Sequence, residues 1–329
     1  MSKVVVLGSN SFSGQDFVDL LLEQGGHEVI GVSRAPEAAP LFARYRRRHE
    51  AAFRFVQMDM NHHMDELLAL LDRERPQWIV NFAAQSEVAP SWEHPEHWFQ
   101  TNTVALARLV NGLREAPWLE RYLHISSPEA YGSCEGTVTE STPDNPSTPY
   151  AASKAAADML LETYRRQFGF PLLTVRATNV YGPGQQLFKI IPRTVISVRL
   201  GRTIPLHGGG RAVKSYIHIR DVSRGELDVL AKGRVGERYH LSPDEGVAVR
   251  EVVERLVALA GASFDETVEV TDERPGQDAA YVIDSTKART ELGWQPRIPL
   301  GDGLTEVVAW VDEHLDQIRD LPLDYVHRP

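Results

Sequence analysis

An α/β fold on a doubly wound parallel sheet is predicted by three features of this 329-residue chain. Short β-branched runs alternate with helical periodicity from Val4 to Thr178, the order expected of parallel strands joined by crossover helices. A glycine turn, Gly8-Ser9-Asn10-Ser11-Phe12-Ser13-Gly14, closes the first strand. Beyond Tyr181 the alternation gives way to short, glycine-interrupted elements, which marks a second, smaller unit interleaved with the first.

Element by element, Val4-Val5-Val6-Leu7 reads as a buried strand stopped by Gly8. Asp16 to Leu22 has the period of a helix that ends at Gly25-Gly26. Glu28–Val32 and Phe53–Met58 are the next strands, the latter leading into Asp59. Met64–Arg75 reads as a helix, and Pro76 leads into the strand Trp78–Phe82. A helix over Thr101–Arg114, a strand over Arg121–Ser126 and a helix from Tyr150 to about Phe168 follow. Gly169 and Pro171 break that helix before the strand Leu172–Thr178. The expected division is a main domain over residues 1–180, with a return around 212–240, and a second domain over 181–211 and 241–329. Helices of the second domain are expected at Glu251–Ala260, Thr286–Leu292 and Thr305–Leu315. Residues 320–329 read as a tail, disordered or packed on the surface.

Composition narrows the function classes. Hydrophobic residues are 42% and charged residues 24%, ordinary for a soluble enzyme. The 35 basic and 45 acidic residues leave a net charge of -10, which argues against a broad nucleic-acid or acidic-membrane surface. No apolar stretch approaches the roughly 18 residues of a membrane span. The first apolar run stops at Gly8, unlike a signal peptide, and Cys134 is alone. A cytoplasmic protein without disulfide or cysteine metal cluster is expected. Trp92, His94, His97 and Trp98 lie close in sequence, but rim packing is the favoured reading over a metal site, and no metal is expected.

The glycine turn is the strongest chemical signal. At a first strand-to-helix turn, backbone N–H groups and the helix N-terminus favour a pyrophosphate, so the main domain is expected to bind a dinucleotide. Gly8 and Gly14 permit close approach, Asn10 and Phe12 lie between them, and Ser11 stands where a middle glycine is usual. The second strand ends in Ser33-Arg34 with no carboxylate before Glu37, which suits a ribose 2′-phosphate and favours NADP over NAD. Asp59 and Met60 after the third strand, and Ala83-Ala84-Gln85 after the fourth, are placed to line the cofactor. Tyr150 and Lys154 stand four apart, on one face of the expected helix. An ammonium beside a phenol favours the phenolate, a base able to deprotonate an alcohol.

The Gly8–Gly14 turn, Asn81-Phe82-Ala83-Ala84-Gln85, Tyr150 with Lys154, and Asn179-Val180-Tyr181-Gly182-Pro183 together resemble the extended short-chain dehydrogenase/reductase superfamily. The resemblance covers residues 3–315 and is greatest to nucleotide-sugar 4,6-dehydratases of the dTDP-glucose and GDP-mannose groups. It implies a Rossmann-type sheet, a tightly bound and recycled dinucleotide, a nucleotide-diphosphate hexose substrate and a homodimer. It also implies roles for residues in Ser126-Ser127-Pro128-Glu129-Ala130-Tyr131. Tyr150 would take the 4-OH proton as C4 loses hydride, Ser127 would bind the 4-oxygen, and Lys154 would also hold the nicotinamide ribose. Glu129 would remove the C5 proton before water leaves from C6 and hydride returns there. Pro128 departs from the dTDP-glucose group, which has an acidic Asp at this position; Glu87 departs from the usual His of both groups. Substrate contacts carried over by resemblance are Ser86, Asn179, Lys189, Lys214 and Arg274; a 4-epimerase or a sugar-nucleotide decarboxylase is the alternative.

Overall fold

The computed structural model describes residues 2–47, 52–133, 136–272 and 280–328. Arg274 and Cys134 lie outside the described residues. Seven strands, β1 (Ser2–Leu7), β2 (His27–Ser33), β3 (Phe53–Gln57), β4 (Trp78–Asn81), β5 (Arg121–Ile125), β6 (Leu172–Ala177) and β7 (Arg238–Leu241), form one sheet. Their order is β7-β6-β5-β4-β1-β2-β3, and every pairing is parallel. The chain winds outward from β1 to β3, then returns to place β4 beside β1. That reversal leaves a crevice beyond the carboxyl ends of β1 and β4, where ligands of such sheets bind.

The continuous apolar runs are explained by cover on both faces. Val4 and Val6 enter one core with Phe17, Leu21 and Leu230, while Val5 and Leu7 enter another with Leu67, Leu109 and Leu161. These strand residues are at most 1% exposed, so neither face of β1 is available for polar side chains. The helices named here as α1 (Phe12–Gln24), α2 (Met64–Glu74), α3 (Leu106–Leu113) and α4 (Pro149–Phe168) supply the layers. Thr148 caps α4 by accepting from the Ala151 N–H at 3.1 Å, with Pro149 in the first turn, and Gly169 ends it in a left-handed conformation.

One expected helix differs. Thr101–Arg114 opens as a π-helical turn over Gln100–Ala105 before α3 begins. Within that turn Asn102 reaches the loop after β4: its Oδ1 accepts from the Gln85 N–H at 2.8 Å, and its Nδ2 donates to the Gln85 carbonyl at 3.0 Å. The same amide donates to Ser153 Oγ on α4 at 2.9 Å. Widening the turn here accompanies a buried side chain that ties three segments together beside the crevice.

The remaining residues form smaller pieces. Asn179–Tyr181 pairs with Tyr216–His218, Ile204–His207 with Val268–Thr271, and Val213–Lys214 with both Val247–Ala248 and Ala280–Tyr281. Helices Ile190–Arg199, Val249–Leu259 and Leu300–Ile318 pack around Ile191, Val195, Leu256, Leu304 and Val311. The last helix begins at Leu300, ahead of the expected Thr305, because Leu304 belongs to this core. Between these pieces, helix Ile219–Lys232 and β7 join the main sheet. Among the described residues, no helix is long and apolar enough to cross a membrane.

Candidate active site

Two clefts meet above the carboxyl ends of the strands. The first, of about 320 Å³, is lined by Gly8, Asn10, Ser11, Ser33 and Arg34 from the first two turns. Asp59, Met60, Ala83, Ala84, Gln85 and Ser86 complete it from the turns after β3 and β4. Gly8 has φ +79°, and a Cβ there would lie 2.6 Å from the Ala83 nitrogen. A Cβ on Gly14 would collide with the Gly8 carbonyl. The two glycines thus let the turn pack against the loop after β4 and against itself at the N-terminus of α1, where its backbone fits a pyrophosphate.

The missing middle glycine has a structural explanation. Ser11 is the N-cap of α1, and its Oγ accepts from the Gly14 N–H at 3.0 Å. Asn10 is committed to bracing: its Nδ2 donates to the Pro36 carbonyl at 2.8 Å, and its Oδ1 accepts from the Ala38 N–H at 3.1 Å. Ser33 Oγ accepts from the Asn10 N–H at 2.9 Å. Phe12, Gly14 and Lys154, expected around the cofactor, are not among the residues lining this cleft.

Tyr150 and Lys154 lie in the first turns of α4, both buried. Lys154 Nζ donates to the Ile125 carbonyl at the end of β5, at 2.7 Å. Burial brings the Lys154 pKa down to about 8, with Asp158 opposing the fall. Burial also raises the Tyr150 phenol; Glu129 pushes it further, a hydrogen bond to Ser127 opposes, and Glu87 and Asp158 add to the rise. Desolvation and these carboxylates act against the phenolate that the sequence reading expects Lys154 to favour.

Ser127 and Glu129 sit on a 3₁₀ turn, Pro128–Tyr131, directly after β5. Ser127 is its N-cap, accepting from the Glu129 N–H at 3.2 Å. Pro128 occupies the first position of the turn and is buried, where a missing N–H costs nothing. Beneath the turn lies a buried ion network. Asp158 accepts from Arg176 and from Ser126 Oγ, each at 2.6 Å, and Arg176 also donates to Asp144 at 2.7 Å. Burial works against the Asp158 charge, yet Arg176 holds its pKa at about 2. Asp158 was not foreseen, although Tyr150, Lys154 and Asp158 fall at four-residue steps on one helix face.

The second cleft, of about 390 Å³, brings Glu129 together with Asn179, Lys189 and Lys214. Arg193, His207 and Tyr216 also line it. Lys189 Nζ forms a 2.7 Å ion pair with Glu87, so this substrate candidate bridges to the loop after β4. His218 packs edge-on against Tyr181, inside the fold. Sequence reasoning missed Asn102, Phe188 and Tyr325. Phe188 and Tyr325, which join the first cleft from the second lobe, follow no motif.

Comparison with known proteins places this arrangement among sugar-nucleotide enzymes. A family model described as GDP-mannose 4,6 dehydratase matches residues 5–307. A dTDP-glucose 4,6-dehydratase of Xanthomonas campestris pv. campestris is 33% identical, over 94% of this chain and 93% of its own length. The crystal structure of a dTDP-glucose 4,6-dehydratase from Streptomyces venezuelae, with NAD and TYD bound, superposes with a TM-score of 0.86. It is 33% identical, and the match covers 96% of this chain and 98% of that one. A UDP-glucose 4-epimerase of Thermotoga maritima, 24% identical, shares the fold at the same TM-score of 0.86, over 95% of this chain and 99% of its own.

Proposed function

Because this chain belongs to the GDP-mannose 4,6 dehydratase family, we propose that it dehydrates a nucleotide-diphosphate hexose to a 4-keto-6-deoxy sugar. The first cleft holds a nicotinamide dinucleotide and the second the sugar nucleotide. The observation that carries this reading is Glu129, which lines the second cleft and acts electrostatically on the Tyr150 phenol beside it. A carboxylate at that point is what separates elimination from simple oxidation or epimerisation.

A bound dinucleotide, held by the residues of the first cleft, would supply a hydride acceptor for C4 and, once reduced, a hydride donor for C6, and its positive charge in the oxidised form would favour the Tyr150 phenolate. The protein's residues do the rest. Tyr150 accepts the 4-OH proton, and Ser127, already hydrogen-bonded to it, holds the 4-oxygen. The 4-ketone makes the C5 proton acidic enough for a carboxylate of ordinary strength. Glu129 takes that proton, and the C6 hydroxyl leaves as water. As hydride is returned at C6 a proton goes back to C5, so the two protons removed from O4 and C5 match the two used by the leaving hydroxyl and by C5. With Pro128 in place of an acid, the leaving hydroxyl receives its proton from Glu129 or from a water. Lys154 orients the nicotinamide ribose while protonated, which its pKa of about 8 permits at neutral pH. Asn179, Lys189 and Lys214 serve the diphosphate and base, together with Arg274.

For the cofactor, Ser33 and Arg34 at the end of β2 favour NADP, whereas solved relatives hold NAD. Competition of the two for one site, measured by their dissociation constants, decides between them. The protein works as a cytoplasmic homodimer in this reading. Val104 and Met159, on adjoining helical segments, are 46% and 59% exposed and offer an apolar contact for a second copy. The test of function is mass spectrometry of products from a panel of dTDP-, GDP- and UDP-hexoses. A product lighter by one water and bearing a 4-ketone is expected. A product of unchanged mass with inverted C4 would establish the epimerase alternative, and loss of carbon dioxide from a uronate the decarboxylase.

A further inference from the structure

The segment after helix Leu300–Ile318 crosses from one lobe to the other over the dinucleotide cleft. Its inward and outward residues alternate: Leu323, Tyr325 and His327 are half-buried, while Asp324, Val326 and Arg328 are exposed. That is the period of an extended strap lying on a surface. It is anchored first on the substrate lobe. Leu323 packs against the core of that lobe, Asp324 pairs with Arg193 at 3.3 Å, and the Tyr325 ring meets Phe188 edge-on at 5.4 Å. It is anchored next on the dinucleotide lobe. The His327 ring stacks on the fully buried Trp98 at 5.1 Å, and its Nε2 shares a 2.8 Å hydrogen bond with His97 Nδ1.

Beyond His327 the strap engages the cofactor residues themselves. The Arg328 carbonyl accepts from Gln85 Nε2 at 2.7 Å and from the Arg34 guanidinium at 3.0 Å. Gln85 is 4% exposed, so the strap satisfies a buried donor in the loop after β4. Tyr325, Val326 and Arg328 line the same cleft as Gly8, Ser33 and Asp59. A ligand seated in that cleft therefore lies beneath a segment fixed on both banks.

We propose that Leu321–Arg328 is a wall of the dinucleotide site, with Tyr325 and the Arg328 backbone as cofactor-site elements, and that it must lift for the dinucleotide to enter or leave. The inference rests on the reading of this cleft as the cofactor site. It fits a reaction in which hydride taken at C4 is returned at C6: the cofactor is not consumed, so nothing requires it to exchange each turnover.

The test is the rate at which bound dinucleotide leaves. The full chain is loaded with reduced dinucleotide and chased with excess oxidised dinucleotide, and loss of bound-nicotinamide fluorescence is followed. A chain ending at Asp320 is expected to release it on the order of tenfold faster, since three hydrogen bonds, an ion pair and the ring contacts of Tyr325 and His327 no longer have to break. The full-length double variant Tyr325→Ala/His327→Ala is expected to release it about threefold faster. Release within twofold of the full chain from the shortened protein, with its thermal unfolding unchanged, would overturn the proposal. Where the shortened chain does not fold, the double variant decides by the same criterion. Release is read on the dinucleotide, so a sugar product other than a 4-keto-6-deoxy sugar overturns the dehydratase reading and leaves the strap result standing.

Discussion

The two clefts are built in different ways. The first cleft is made from successive turns at the ends of strands of one parallel sheet, at Gly8–Ser11, Ser33–Arg34, Asp59–Met60 and Ala83–Ser86. Each is a local sequence feature whose position follows once the strands are paired. The second cleft is assembled from Glu129 on the turn after β5, Lys189 at the start of a helix, and Asn179 and Lys214 on short strands that pair over long separations. The first is specified by the backbone, the second by side chains at the meeting of two lobes.

Replacing Glu129 by Gln breaks the chemistry where the clefts meet. Product formation should fall about 10²–10⁴-fold, while C4 oxidation continues, so absorbance of the reduced cofactor should build up on adding substrate. Undiminished product would end the assignment. Tyr150→Phe should give a comparable loss of turnover, on the order of 10²–10³-fold, but with no reduced cofactor accumulating. A variant of each kind thus separates the two half-reactions.

Gly8→Ala tests the backbone cradle. The added Cβ meets the Ala83 nitrogen at a residue with φ +79°, and such strain costs about 1–3 kcal/mol. Calorimetry should find dinucleotide affinity weakened roughly tenfold or more, and equal affinity would remove the cradle from the argument. A smaller effect is expected from Lys189→Ala. It removes the 2.7 Å pair with Glu87, but Lys189 is 36% exposed. The KM for sugar nucleotide should rise by no more than about fivefold, with dinucleotide affinity unchanged.

Acid should act on three buried histidines. Burial lowers the pKa of His124 and of His240 to about 3 and that of His218 to about 4, from an ordinary 6.5. The unfolded chain therefore binds protons that the folded chain refuses between pH 6.5 and about 3. Their contribution is complete above pH 6.5 and is lost as pH falls through that range. The unfolding temperature should decline steadily from pH 6.5 to 4.5. A variant with Gln at position 240 that retains the fold should show a shallower decline.

Much of the dinucleotide half was legible. β-Branched runs located β1 to β6 within a residue or two, because buried strands and their glycine stops are local signals. The π-helical turn at Gln100–Ala105 was not, since nothing local reports that Asn102 will find Gln85 and Ser153. The same limit applies to Asp158: its spacing from Lys154 on α4 was visible, but its partner Arg176 lies on strand β6. The alternation of half-buried and exposed residues from Leu323 to Arg328 was not legible, because the sequence there places Tyr325 beside Val326 and His327 beside Arg328 and has no apolar–polar period.

By itself the sequence determined the alternating fold, the glycine cradle, the Tyr150–Lys154 helix face and the family to which Glu129 gives meaning. These depend on periodicity, backbone freedom and short spacings, which are written along the chain. Tertiary structure alone decided the environment of those groups. It surrounds the Tyr150 phenol with carboxylates, turns Lys154 onto the Ile125 carbonyl, pairs Lys189 with Glu87, and draws Arg328 back to Gln85 across 243 residues. Desolvation and charge depend on neighbours in space, and only the packed chain fixes which neighbours those are.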